Sequence, residues 1–261
     1  MGDRSLRVAS GAPASSDLLL ASRNVVTPEG VRDAVVSVSG GRVAGVEPRG
    51  GRRSREVRDF GDAYLLPGLV DTHVHINEPG RAEWEGFETA TRAAAAGGVT
   101  TLVDMPLNST PATTTVAALE LKRAAAHGKC FVDVGFWGGV VPGNTAELPG
   151  LAAAGVLGFK CFLVPSGVED FAHVGERELR EAMPVVAALR LPLLAHAESP
   201  AALERAAAAV RGGDPRNYEV YLRSRPAESE LEAIRLLLRL DRKSTRLNSS
   251  HIQKSRMPSS A

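Results

Sequence analysis

The chain has 261 residues, with 31 basic and 30 acidic side chains, which leaves a formal net charge of +1. This near balance gives no sign of a nucleic-acid partner or of a membrane-surface partner. The apolar fraction of 44% is ordinary for a globular protein, and the two cysteines lie too far apart for a zinc motif or a dense disulfide framework. We therefore expect a cytoplasmic protein without a membrane span.

The amino-terminal part of the chain predicts short β-strands. Residues 1–16 end in small and polar side chains and are expected to be disordered. Beyond them, short apolar runs alternate with Pro-Glu-Gly and Gly-Gly turn signals, which is typical of strands and hairpins. Strands are expected at residues 17–20, 25–26, 34–38, 42–46 and 56–60. Because this unit is too short to close its own core, residues 17–64 are predicted to form part of a small β-sandwich domain.

From residue 65 to residue 240 the pattern changes to alternating strands and helices, which predicts an α/β fold with a parallel sheet. Strands are expected to end near His75 and to span 99–105, 130–137, 156–163 and 191–196. Helices are expected at 87–96, 113–127, 146–154, 176–189, 200–210 and 226–240. A complete (β/α) barrel of eight such units needs about 250 residues. The sequence therefore predicts an incomplete TIM-type barrel with about five of its eight strands.

Two histidines close the first of these strands, in His73-Val74-His75. Residues two apart on a strand point to the same face, so both imidazoles would project into one space. The following Glu78-Pro79-Gly80 turn signal places them at the carboxyl end of the strand, where barrel enzymes carry their active sites. An isolated His-x-His pair also arises by chance, so this motif alone does not establish a metal site.

Lys160 and His196 lie near the carboxyl ends of two later strands, so all four side chains are expected to converge. Neutral imidazole is a good ligand for zinc and related ions. An ammonium has no lone pair for a metal, but a lysine amine that reacts with carbon dioxide becomes an anionic carbamate. The alternative is a lysine whose amine simply reaches the barrel mouth. Because Lys160 accompanies three histidines at matching strand ends, its interpretation as a metal ligand is favoured.

The chain resembles the cyclic amidohydrolases, and within them the allantoinase branch, from about Asp17 to Leu240. The resemblance rests on segments that occur in family order, namely Pro67–His75, Glu78–Arg81, Trp84–Thr89, Asp104–Asn108, Gly158–Phe162, Ala195–Glu198 and Arg225–Ile234. It implies two divalent metal ions, expected to be zinc, held by His73, His75, the carbamate of Lys160 and His196. It also implies a small cyclic ureide as substrate, carbon dioxide for the carbamate, and a homo-oligomer, expected to be a tetramer.

Two asparagines are candidates for substrate binding. Dihydroorotases carry an arginine two residues after the histidine pair, where it holds the substrate carboxylate, whereas this chain has Asn77 there. Asn108 lies in the Met-Pro-Leu-Asn segment that looks like allantoinase rather than dihydroorotase or hydantoinase. Both asparagines are also compatible with a purely local role in turns. Hydrolysis of another cyclic ureide, as by a hydantoinase or dihydroorotase, and a non-catalytic assembly partner remain open as alternatives.

The resemblance places one further histidine ligand and the acid–base aspartate beyond residue 240, so no catalytic residue of the family is expected within this chain. Residues 241–261 carry serine clusters without periodicity and closely resemble translated sequencing-adapter sequence. They are predicted to be a non-native tail, with a natural disordered tail as the alternative. We therefore expect the intact protein to be an enzyme and this chain to be an inactive fragment of low stability.

Overall fold

The computed structural model describes residues 16–50, 54–214 and 216–241. The predictions for residues 1–15 and 242–261 lie outside this described part. Ser16 is the last residue of the predicted disordered terminus (1–16) and Asp241 the first of the predicted non-native tail (241–261), but Ser16 begins a strand and Asp241 ends a helix. The chain divides into two compact units, Met1–Gly68 and Leu69–Ala261, so the predicted boundary after residue 64 lies inside the first unit.

The described residues of the first unit form one five-stranded sheet. Its strands are β1 (Ser16–Thr27), β2 (Gly30–Ser39), β3 (Arg42–Glu47), β4 (Ser54–Asp59) and β5 (Tyr64–Leu65). Strand β1 pairs antiparallel with β2 and parallel with both β4 and β5, and β3 adds to β2. The predicted strands at 17–20 and 25–26 are one strand with an irregularity between Ser22 and Val25. Assignment of this sheet to a β-sandwich stays a prediction.

The second unit alternates strands and helices, as the apolar pattern predicts. Its described strands are β6 (Leu69–Val74), β7 (Val99–Asp104), β8 (Asp133–Phe136), β9 (Gly138–Gly139), β10 (Phe159–Phe162) and β11 (Leu193–His196). Its described helices are α1 (Phe87–Ala96), α2 (Val116–Ala126), α3 (Leu148–Ala153), α4 (Glu176–Leu189), α5 (Pro200–Ala209), α6 (Tyr218–Ser224) and α7 (Ala227–Asp241). The α/β class is therefore confirmed.

The strands of the second unit run parallel in chain order. Strands β6, β7 and β8 form one ladder, and β9, β10 and β11 form another. The predicted strand at 130–137 is shorter, Asp133–Phe136, and after Trp137 alone it is followed by a second short strand, Gly138–Gly139, which was not predicted. The Trp137 backbone N–H donates to the Asp104 carbonyl, and the next N–H, of Gly138, donates to the Gly158 carbonyl, each at 2.9 Å. The five strand positions predicted from residue 65 are thus present, while closure into a barrel stays a prediction.

Helix boundaries follow local capping. Helices α1 and α4 match their predicted spans, but α2 begins three residues later than predicted, because the Thr115 hydroxyl accepts a hydrogen bond from the Ala118 N–H and caps the helix. Helix α6 is not among the helices predicted from the sequence. It begins after Asn217, whose side chain accepts a hydrogen bond from the Glu219 N–H. In the described part of the chain, no helix is both long and apolar enough to cross a membrane.

The core of the second unit lies between the sheet and its helices. Helices α1 to α4 contribute fully buried apolar side chains, among them Phe87, Leu119, Leu151 and Leu179. They pack with Phe159 of β10 in one continuous cluster. This cluster supports the strands whose carboxyl ends carry the candidate site residues.

Gly158 lies where the strand that carries Lys160 begins, and replacing it with alanine is expected to destabilise the chain. A Cβ atom there would clash with Cζ3 of Trp137 and lie 2.7 Å from the Pro192 carbonyl oxygen, which is backbone and cannot turn aside. Overpacking of this kind typically costs about 1–3 kcal/mol. Urea unfolding measures the loss, and Gly97→Ala is the control because its Cβ would make ordinary contacts of 3.5 Å or more. Equal midpoints for the two variants would contradict the prediction.

Candidate metal site

The histidine pair lies at the carboxyl end of β6. His73 is within the strand and His75 follows its last residue, and their ring centres are 5.4 Å apart. Burial, and next the neighbouring His73, lower the pKa of His75 to about 4. Nδ1 of His75 lies 3.4 Å from the Leu107 carbonyl oxygen. His75 is therefore a neutral imidazole at physiological pH, which is the form that binds metal ions.

Lys160 lies within β10 and is almost completely buried, with 1% of its surface exposed. Its Nζ atom lies 5.0 Å from the centre of the Phe162 ring, and none of the described residues pairs a carboxylate with it. Burial lowers the pKa of Lys160 to about 8, because the ammonium loses its hydration. Its charge also helps to lower the pKa of His75, so the two side chains are close enough to interact.

His196 ends β11, next to the strand that carries Lys160. The parallel register pairs it with Phe162, and the two rings stack with centres 4.8 Å apart. Nε2 of His196 lies 2.7 Å from a carboxylate oxygen of Glu198. Nη1 of Arg225 lies within 3.1 Å of both oxygens of that carboxylate. Hydrogen bonding with His196, together with the Arg225 contact, holds the pKa of Glu198 below its ordinary value.

The donor set fits a divalent metal only in part. Two imidazoles lie side by side, and the nearby buried amine has no anionic partner in the described residues, so a carbamate there would supply the missing negative charge. Within residues 16–50, 54–214 and 216–241, however, no three His, Cys, Asp or Glu side chains are grouped so that they could hold a metal. His196 contacts Phe162 and Glu198. A site built from these residues therefore needs Lys160 as a ligand.

The two candidate substrate residues both take part in turns. The Asn77 backbone N–H donates to the Glu85 carbonyl and its own carbonyl accepts from the Arg81 N–H, each at 2.9 Å. Its side-chain oxygen is buried and has no hydrogen-bond partner in the described structure. Asn108 is half-buried and has a left-handed backbone, with φ of 70°. Asn77 is thus a turn residue whose side-chain oxygen is still available as a hydrogen-bond acceptor. Asn108 has the backbone conformation of a turn residue.

A buried ion pair that the sequence analysis does not predict lies behind the histidines. Nζ of Lys122, on α2, lies 2.7 Å from Oδ2 of Asp104, and both side chains are fully buried. Burial raises the pKa of Asp104 to about 6 against the opposing effect of the Lys122 charge, so the carboxylate is ionised at neutral pH. The sequence does contain a sign of this buried lysine. Lys122 lies on the same helix face as the buried apolar residues Ala118, Leu119 and Ala126 of α2.

Comparison with known proteins places this geometry in a family. Residues 64–239 match the amidohydrolase family. The chain is 50% identical over 242 residues to an allantoinase of Streptomyces avermitilis, covering 92% of this chain and 54% of that protein. It is 47% identical over 230 residues to an allantoinase of Arabidopsis thaliana, covering 84% of this chain and 44% of the relative. The chain thus spans about half the length of the curated relatives it matches.

A solved structure also resembles this chain. The L-hydantoinase (dihydropyrimidinase) of Arthrobacter aurescens superposes with a TM-score of 0.82 at 30% sequence identity, covering 88% of this chain and 51% of that one. The parallel strands, the histidine pair on the first of them and the buried lysine on a later one occur within the span matched by the family. The chain belongs to the amidohydrolase family.

Proposed function

We propose that this chain carries the metal-binding part of an allantoinase, which hydrolyses the cyclic amide bond of allantoin to give allantoate. The observation that carries the proposal is the buried Lys160 amine, which no carboxylate of the described residues partners and which lies close enough to the neutral His75 to lower the pKa of that imidazole. The identity of 50% to the Streptomyces avermitilis allantoinase supports the choice of substrate.

His73, His75, Lys160 and His196 are the proposed ligands of two divalent metal ions, with zinc the expected metal. Such ions lower the pKa of bound water and polarise a carbonyl group when they are present. With a pKa of about 8, Lys160 is neutral in a useful fraction of molecules near physiological pH. The neutral amine attacks the carbon of carbon dioxide, so that a nitrogen–carbon bond forms while one carbon–oxygen π bond breaks and leaves its electron pair on oxygen. The nitrogen then loses a proton to water, which gives the anionic carbamate.

Asn77 and Asn108 are the proposed substrate contacts. The unpartnered side-chain oxygen of Asn77 can accept a hydrogen bond from a ureide N–H group. A neutral amide at this position suits an uncharged ring better than the carboxylate-bearing ring of dihydroorotate. The superposition of a hydantoinase structure over 88% of the chain supports the second candidate function, hydrolysis of a hydantoin-like ring.

Assembly and location are part of the same proposal. We expect the complete protein to form a tetramer in the cytoplasm. Light scattering and fractionation of the native cells measure the two properties.

The test compares this chain with a chimera in which the residues after Asp241 are replaced by the matching carboxyl-terminal part of the Streptomyces avermitilis relative. We expect the chimera, supplied with zinc and bicarbonate, to hydrolyse allantoin, and the 261-residue chain to show no appreciable turnover. Assays with hydantoin and dihydroorotate in parallel identify the substrate. A preference for hydantoin or dihydroorotate over allantoin would favour hydrolysis of another cyclic ureide.

Two other outcomes would contradict the proposal. Turnover of allantoin by the 261-residue chain alone would show that no acid–base residue has to come from outside it. A chimera that binds no metal would favour the non-catalytic assembly partner. Metal content is measured by elemental analysis of the purified chimera, so this result does not depend on the activity assay.

A further inference from the structure

Asp104 and Lys122 form an ion pair that the proposed ligand set does not use. Asp104 is the last residue of β7 and Lys122 lies on α2, and neither side chain is exposed to solvent. Removing two charges from water is costly, and apolar side chains of similar shape often give equal or greater stability at such places. The pair is therefore poorly explained by stability alone, and its hydrogen bonds indicate another role.

Asp104 bonds directly to the backbone after His75, and the backbone of Met105, which Lys122 contacts, bonds to the residue before it. Oδ1 of Asp104 accepts from the Ile76 N–H at 2.7 Å. The Met105 N–H donates to the Val74 carbonyl, also at 2.7 Å. His75 thus lies between two residues that are bonded to Asp104, the last residue of β7, and to Met105, which follows it.

Lys122 extends this contact to the segment that faces the imidazole. Its Nζ donates to the Met105 carbonyl at 2.8 Å while it pairs with Asp104. Two residues further on, the Leu107 carbonyl lies 3.4 Å from Nδ1 of His75. A carbonyl beside one ring nitrogen selects the tautomer that leaves the other nitrogen available for a metal.

We infer that Asp104 and Lys122 are positioning residues that hold the His75 imidazole in its metal-binding orientation. This inference rests on the proposed metal site, and it assigns to the pair a role in ligand geometry rather than in folding. Residues that orient metal ligands from behind typically change metal affinity by about 10–100-fold when they are replaced.

The experiment uses double variants, because a single change would leave a buried charge unpaired. Asp104→Leu/Lys122→Met keeps the approximate shapes, removes both charges and removes the bonds to Ile76 and Met105. Asp104→Asn/Lys122→Met also removes the charges, but its amide oxygen can still accept from the Ile76 N–H. In the 261-residue chain we expect the first variant to bind zinc about 10–100-fold more weakly and the second to lose less.

A second readout does not require metal. Diethyl pyrocarbonate modifies accessible neutral imidazoles, and mass spectrometry follows each histidine separately. In the metal-free chain we expect faster modification of His75 in Asp104→Leu/Lys122→Met, with the exposed His127 as the internal reference. Val186→Ala, a core truncation on α4, controls for loss of stability alone and should change neither readout.

Unchanged zinc affinity in Asp104→Leu/Lys122→Met overturns the inference, as does an unchanged rate for His75. Equal effects from Val186→Ala would also overturn it, because the cause would then be general destabilisation. If the unsubstituted chain binds no zinc, the proposed metal site within this chain fails, and the His75 modification rate still decides whether the pair positions the imidazole.

Discussion

Replacing Lys160 with methionine is expected to weaken zinc binding by more than about 100-fold, beyond the usual effect of residues that only orient a ligand. The change removes the amine that would become the carbamate while it keeps an unbranched apolar side chain. The chimera carrying Lys160→Met should lose allantoin hydrolysis to the same or a greater extent. Calorimetric titration with zinc in bicarbonate buffer measures the affinity, and Lys129→Met is the control because that lysine is partly exposed. Wild-type zinc affinity in Lys160→Met would rule out lysine as a ligand.

The pH dependence of unfolding shows whether Lys160→Met loses zinc affinity because a ligand is missing or because the variant misfolds. The folded-state pKa of Lys160, about 8, lies below its ordinary value of 10.5, so between these values the unfolded chain binds more protons than the folded one. The free energy of unfolding therefore gains a contribution of up to about 3 kcal/mol as pH rises from 8 to 10.5. Lys160→Met should lack this gain and be the more stable variant at pH 7. Urea unfolding in metal-free buffer without carbon dioxide measures both chains, and parallel pH curves would contradict the assignment.

Much of the fold follows from local signals in the sequence. An alanine-rich run predicts α1 and an amphipathic run predicts α4. Glycines at both ends of the first run and before the second mark where these helices begin or end. The two-residue period of strands predicts that His73 and His75 share a face, and their rings do lie close together. Helix α6 was missed because seven residues give little periodicity after a segment that reads as a polar linker.

The rest of the candidate site depends on contacts that no local pattern encodes. Stacking of His196 on Phe162 follows from the register of β10 against β11, which the sequence does not specify. The Asp104–Lys122 pair joins a strand end to a helix, and Lys122 can be recognised as buried only when the helix face is known. Among the described residues, the buried Asn77 side-chain oxygen has no hydrogen-bond partner, which likewise depends on three-dimensional packing.

Replacing Lys122 alone with methionine is expected to cost about 3–5 kcal/mol of unfolding free energy. The reason is that Asp104 would keep its place in the core, fully buried, without its only ion-pair partner in the described structure. Asp104→Leu/Lys122→Met should recover most of this loss, because no unpaired charge remains. Urea unfolding at pH 7 gives the three free energies, and Arg92→Met, at a surface pair, should change stability by less than about 1 kcal/mol.

Together the three unfolding energies separate what the pair does for folding from what it does for the site. If the double variant is as stable as the unsubstituted chain, the pair is dispensable for folding, and any loss of zinc affinity in that variant must come from the hydrogen bonds around His75. If the double variant is as unstable as Lys122→Met alone, the two hydrogen bonds to Ile76 and Met105 are themselves required for folding. A small loss in Lys122→Met would instead mean that Asp104 gains a proton or contacts water once its partner is removed.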